Sequence, residues 1–175
     1  MRGTPVKSPI GADAVVPERR SRRARLRLAR LRLAARGHLH VHGNVQVERG
    51  VRVNASGGRV VLEDGCLLGA GCRIEAAGGD VRIGPRTQVG ARAVIVALAG
   101  IDVGADCVVG EWAMIADAEP TFDDAERPTR QQPLRSAPVV LGDGARIGAH
   151  ATILASVAAG EVVGSYETRA PRSTS

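Results

Sequence analysis

From residue 41 onward a six-residue period runs through the chain, with an aliphatic residue at position i, often glycine at i+1, and a small or β-branched residue at i+4. Leu68-Gly-Ala-Gly-Cys-Arg, Ile83-Gly-Pro-Arg-Thr-Gln, Val89-Gly-Ala-Arg-Ala-Val, Val103-Gly-Ala-Asp-Cys-Val and Ile147-Gly-Ala-His-Ala-Thr are copies of it. Nothing helical has this period, because a helix returns to the same face about every 3.6 residues. A fixed short repeat points instead to a solenoid, in which each unit buries its apolar side only against its neighbours.

The aliphatic i positions fall in threes: Val41, Val47, Val53; Leu62, Leu68, Ile74; Ile83, Val89, Ile95; Val103, Val109, Ile115; Leu141, Ile147, Ile153. The first members of successive trios are 21, 21, 20 and 38 residues apart, so the third side of each coil carries a small excess and one coil carries a long excursion. Three short strands per coil, joined by corners, make a triangular prism whose coils stack ~4.8 Å apart by parallel backbone pairing. The i and i+4 side chains point inward, and glycine at i+1 permits corner conformations that other residues resist. The expected fold class is therefore all-β, a parallel β-helix of about five triangular turns.

A prism this thin explains an odd composition. The chain is 44% hydrophobic, yet Trp112, Phe122 and Tyr166 are its only aromatic residues. Rings usually supply much of a globular core's buried area, and here Val, Ile, Leu, Ala, Thr and Cys must supply it instead. The 22 glycines and 9 prolines exclude a helical bundle, and the apolar content excludes a disordered or collagen-like chain. Cys66, Cys72 and Cys107 all occupy i+4, and they read as small buried hydrophobes rather than as nucleophiles or metal ligands.

The net charge of +6 is not spread evenly. Residues 1–40 hold 11 of the 24 basic residues against only Asp13 and Glu18, whereas residues 41–175 hold 13 basic and 16 acidic residues. Residues 1–17, with Pro5, Pro9 and Pro17, read as a disordered N-terminus; 18–37 read as an arginine-rich arm; 38–166 hold the solenoid; 167–175 form a polar tail. As a helix the arm places Leu28, Leu31 and Ala35 on one stripe, with Leu26 and Leu33 nearly opposite. It lacks any aromatic residue, which argues against base stacking and makes nucleic acid an unexpected partner; anionic lipid or a sugar phosphate are sharper alternatives to a simple structural cap. No apolar stretch reaches the ~20 residues of a membrane span, and no signal core opens the chain, so a cytoplasmic protein is expected.

The excursion spans 116–138 and is polar and proline-punctuated, as functional loops on rigid solenoids often are. Together with the coil after it, the loop carries a resemblance. Ile115-Ala-Asp, Phe122-Asp-Asp, Pro128, Gln132, Pro138 and the run Leu141-Gly-Asp-Gly-Ala-Arg-Ile-Gly-Ala-His-Ala-Thr-Ile-Leu resemble the hexapeptide-repeat acyltransferases, within them the maltose/galactoside O-acetyltransferase-like branch. The resemblance covers 41 to about 165. It implies left-handed winding, a short helix capping the base, a homotrimer with active sites between prisms, and transfer of acetyl from acetyl-CoA to a sugar or polysaccharide hydroxyl. No metal is implied.

The same resemblance assigns residues. Gly148, Ala149 and Ser156 match the small groove residues that contact CoA, and Trp112, Phe122, Asp123 and Asp124 fall at or in the substrate loop. The family's general base is a loop histidine, carried in an Asp-His-x-His element. This chain reads Asp117-Ala118-Glu119-Pro120, so both histidine positions are occupied by residues that cannot take a proton. Asp117, Glu119 and His150 are the remaining candidates, the carboxylates only if desolvation raises their pKa, and His150 with an inter-turn contact as its competing role. His38, His40 and His42 alternate like outward residues of a first strand, with a metal site as the lesser alternative. A catalytically impaired relative, serving as a structural, regulatory or carbohydrate-binding partner, is the alternative function.

Overall fold

The computed structural model describes residues 22–120 and 133–171. Helix α1 (Arg22–Ala34) is followed by six rungs of short strands. They are β1 (Leu39–Val41), β2 (Gln46–Val47) and β3 (Arg52–Asn54); β4 (Val60–Leu62), β5 (Leu67–Leu68) and β6 (Arg73–Ala76); β7 (Val81–Ile83), β8 (Gln88–Val89) and β9 (Val94–Ala97); β10 (Ile101–Val103), β11 (Val108–Val109) and β12 (Met114–Ala116). A hairpin of β13 (Ala118–Pro120) and β14 (Leu134–Ser136) then leaves the prism. The fifth rung is β15 (Val139–Leu141), β16 (Arg146–Ile147) and β17 (Thr152–Ile153), and the last contains β18 (Val162–Val163) and β19 (Thr168–Arg169).

Three parallel sheets form the walls, in the orders β1-β4-β7-β10-β15, β2-β5-β8-β11-β16-β18 and β3-β6-β9-β12-β17-β19. The registers stack the predicted trios as columns: Val41, Leu62, Ile83, Val103, Leu141 in one wall and Val53, Ile74, Ile95, Ile115, Ile153 in another. From Leu62 onward these side chains are fully buried, as are the i+4 residues Cys66, Cys72, Ala93, Cys107, Ala113, Ala145 and Ala151. The architecture is a parallel β-helix, consistent with the left-handed winding that hexapeptide repeats imply.

The solenoid does not stop at residue 166. Leu141 bridges Val157, β18 pairs with β16, and Ile153 is in register with Arg169, so a further rung replaces the start of the expected polar tail. Counted from Val157 the six-residue step is intact, 157 to 163 to 169. The third member is Arg169 rather than an aliphatic residue. It pairs with Glu161 and covers the end of the column with charge, which protects an edge that would otherwise invite further strand pairing.

At the other end α1 lies across the base and touches all three strands of the first rung. Leu28, Leu31 and Ala35 are buried beneath β1–β3. Arg27 donates to the Val47 carbonyl at 3.2 Å and Arg32 to that of Val41 at 3.3 Å, which ties the helix down from both flanks. Among the described residues no helix is long and apolar enough to cross a membrane.

Candidate functional site

Each hexapeptide turns a corner at i+3, and on the corner that follows the second wall this residue has positive φ. Gly50 and Gly71 hold the position in the lower rungs, with φ of 74° and 70°. Above them it is held by Arg92 (57°), Trp112 (59°), His150 (58°) and Tyr166 (62°). A non-glycine residue in this left-handed region costs about 1 kcal/mol or more. Three of these four are among the few large rings the chain owns.

Because the corner repeats in register, the side chains form a ladder parallel to the prism axis. The Trp112, His150 and Tyr166 amides donate to Ala91, Glu111 and Ala149 carbonyls of the rung below at 3.0, 2.9 and 2.9 Å, which fixes the vertical spacing. The Arg92 guanidinium carbon lies 4.7 Å from the centre of the Trp112 ring, a cation–π contact. His150 is stacked 6.0 Å from Trp112 at 8° and 4.8 Å from Tyr166 at 3°. The ladder is exposed to solvent, with Trp112 49% and Tyr166 76% accessible. Both imidazole faces are occupied, and the ring nitrogens, which lie in the plane of the ring, take no hydrogen-bond partner among the described residues. His150 is thus oriented by its neighbours while its proton-accepting edge stays open.

Beside this corner a shallow groove of about 240 Å³ runs down the second wall. Leu67, Gln88 and Val108 form its floor, and Gly90, Gly110 and Glu111 its rim. The rim glycines are required by close packing between rungs: a Cβ on Gly90 would lie 2.6 Å from the Gly110 carbonyl carbon, and one on Gly110 2.5 Å from the Ala149 nitrogen. The result is an apolar trough edged by backbone.

The other candidates separate into distinct roles. Asp117 is 3% exposed, and its carboxylate accepts the backbone N–H groups of Leu98, Ala99 and Gly100 at 2.7, 2.7 and 2.6 Å. It staples the third corner of the rung below and is buried there. Glu119 sits on β13 opposite Arg135 of β14. Ala118 and Pro120 lie in the same ribbon. Phe122, Asp123 and Asp124 fall outside the described residues. Ser156 Oγ accepts the Val140 N–H at 3.0 Å, away from the ladder corner. Gly148 and Ala149 immediately precede His150; Gly148 packs so tightly that a Cβ would meet the Ser165 nitrogen at 2.3 Å.

Arg92 and Tyr166 escape the sequence reading, although their signal is present. Val89-Gly-Ala-Arg, Val109-Gly-Glu-Trp, Ile147-Gly-Ala-His and Val163-Gly-Ser-Tyr place all four ladder residues at the same offset from the middle member of a trio. His38, His40 and His42 point outward along the first strand, and His42 Nδ1 is 3.6 Å from a Glu63 carboxylate oxygen. Among the described residues no three His, Cys, Asp or Glu side chains converge as a metal site. Burial pushes the thiol of Cys66 up to about 11 and that of Cys72 to about 12, and it also raises Cys107, so these groups are protonated packing elements.

Two comparisons bear on this geometry. Residues 80–110 match the family model described as the hexapeptide repeat of succinyl-transferase. A Mycobacterium tuberculosis protein described as a probable acetyltransferase is 29% identical over 144 residues, covering 80% of this chain and 48% of the relative. The chain therefore spans about half the length of that curated relative. Together the matches show a likeness to the hexapeptide acyltransferase family.

Proposed function

On the premise of that family, we propose that the protein transfers an acyl group, most simply acetyl, from acyl-CoA to a hydroxyl of a sugar or polysaccharide, with His150 as the general base. One observation carries the assignment: a histidine is held at a corner that favours glycine, clamped between Trp112 and Tyr166, with neither ring nitrogen hydrogen-bonded among the described residues. Positive φ recurs at other non-glycine corners, Arg86 and Asp106 among them, so what sets His150 apart is a ring fixed between two aromatic neighbours.

In this reading the imidazole takes the proton of the acceptor hydroxyl as its oxygen attacks the thioester carbonyl. The tetrahedral intermediate collapses with loss of the CoA thiolate, and the imidazolium returns the proton to that sulfur. The trough beside the ladder suits an extended, largely apolar chain contacted by backbone and small side chains. At about 240 Å³ it is smaller than the usual ligand pocket of 300 Å³ or more, which favours completion by a neighbouring protomer of a homotrimer. Asp117 and Ser156 have structural roles in this scheme, and Gly148 and Ala149 set the position of the base.

The test pairs calorimetry with acetyl-CoA and a thiol-release assay over a panel of sugars. His150→Ala is expected to lower kcat by about 10²–10⁴ with acetyl-CoA affinity within a few-fold of the parent. No binding at millimolar acetyl-CoA overturns the transferase reading. The alternative, a catalytically impaired partner of an active transferase, draws support from the ribbon: Ala118 and Pro120 supply no base, and the Asp117 carboxylate is already engaged. Sugar binding without turnover in any acceptor would select it.

A further inference from the structure

Helix α1 uses one side to cap the prism and leaves the other exposed among the described residues. Leu26 is 54% and Leu33 82% exposed, and they lie seven residues apart, two helical turns, with exposed Ala29 between them. Such a row on a solvated helix needs an explanation, since the solenoid has already taken Leu28 and Leu31. Arginines flank it on both sides: Arg23 and Arg30 along one margin and Arg25 along the other, all exposed. The helix contains no acidic residue, and Arg19 and Arg20 precede it in the sequence.

We propose that this outer face of α1 is a docking surface for an anionic lipid membrane. The charge pattern selects the occupant. A second copy meeting base to base would oppose arginine to arginine with no carboxylate on either helix to pair them. Nucleic acid would engage the arginines but leave the leucine row in water. A bilayer with acidic headgroups satisfies both, as the guanidinium groups meet phosphate or carboxylate while Leu26 and Leu33 enter the acyl boundary.

The rest of the fold is compatible with that pose. Because α1 lies across the end of the prism, a helix parallel to the bilayer stands the solenoid upright. His150, on the fifth rung, then projects about 30 Å from the surface, from rungs ~4.8 Å apart and a helix ~10 Å thick. The two arginines bonded to first-rung carbonyls, Arg27 and Arg32, hold the helix to the prism, and its other face is exposed among the described residues.

The experiment is co-sedimentation of the full chain with vesicles of phosphatidylcholine alone or with phosphatidylglycerol at three parts in ten. We expect binding only to the anionic vesicles, weakening as salt rises, with Leu26→Gln/Leu33→Gln reducing the partition coefficient about tenfold or more. Arg23→Gln, Arg25→Gln and Arg30→Gln should each reduce it about fivefold. All these side chains are exposed, so circular dichroism and the melting temperature should match the parent, confirming that a loss reflects the surface. Equal binding to both vesicle types, absence of binding, or indifference to the leucine pair overturns the proposal. So does binding of a 20-base-pair duplex that falls with the leucine substitutions as vesicle binding does.

Discussion

Asp117 separates a structural from a catalytic role more sharply than any other residue. Its carboxylate collects three consecutive backbone N–H groups from the corner Leu98-Ala99-Gly100, at 2.6–2.7 Å, and is itself 3% exposed. Hydrogen bonds to a charged acceptor contribute roughly 1.5–3 kcal/mol each, but they are not additive. Ala99 is exposed and its neighbours half-buried, so water can replace part of what is lost. Asp117→Ala should therefore weaken this corner by about 2–4 kcal/mol. Asp117→Asn should lose nearly as much, because it retains one acceptor oxygen and turns an N–H toward the other donors. Rungs of a solenoid open separately, so the appropriate assay is native-state hydrogen exchange. The amides of residues 98–100 should exchange about 100-fold faster in either variant, with the lower rungs unaffected. If Asp117→Asn leaves exchange and melting unchanged yet abolishes thiol release, Asp117 is a base and the staple argument is wrong.

Three further outcomes rest on the same geometry. The raised thiols of Cys66 and Cys72 stay protonated in the fold and ionise in the unfolded chain near pH 9, so the unfolded state sheds protons first and stability falls as pH rises above about 9; Cys66→Ala/Cys72→Ala should flatten that alkaline limb in urea titrations, and a limb of unchanged slope refutes the burial assignment. Gly148→Ala places a Cβ 2.3 Å from the Ser165 nitrogen and should lower stability by about 1–3 kcal/mol, with the loss seen as faster exchange of the Val163–Tyr166 amides. Trp112 is the sole tryptophan, and its ring is stacked on His150, so His150→Ala should shift its emission to the red whereas Tyr166→Ala, one step further away, should shift it less.

The repeat is legible because it is local. Columns such as Leu62, Ile83, Val103 and Leu141 come from counting sixes within a rung and matching rungs by their first members. The last rung escapes that count because its third inward position is Arg169, which breaks the aliphatic rule while keeping the period; only the register with Ile153 reveals it. The arm's two leucine faces are visible as a helical pattern, but which face meets the prism depends on the shape of the rung beneath.

The candidate site is legible only in part. His150 and Trp112 stand out for their chemistry, one as a candidate base and one as a loop neighbour, but their contact is invisible in the sequence. Asp117 groups with Glu119 as an acid of the excursion, although its side chain turns back into the wall. No spacing distinguishes a carboxylate that serves solvent from one that caps three amides; the difference lies in which backbone donors the adjacent rung presents.

By itself the sequence determined the period, and with it a thin triangular interior that admits aliphatic and small residues and excludes rings. It also confined the net positive charge to the N-terminal 40 residues. The tertiary structure decided which residues are vertical neighbours. Arg92, Trp112, His150 and Tyr166 are separated by 20, 38 and 16 residues along the chain, and they meet because every rung closes to the same corner regardless of how much chain it spends on an excursion.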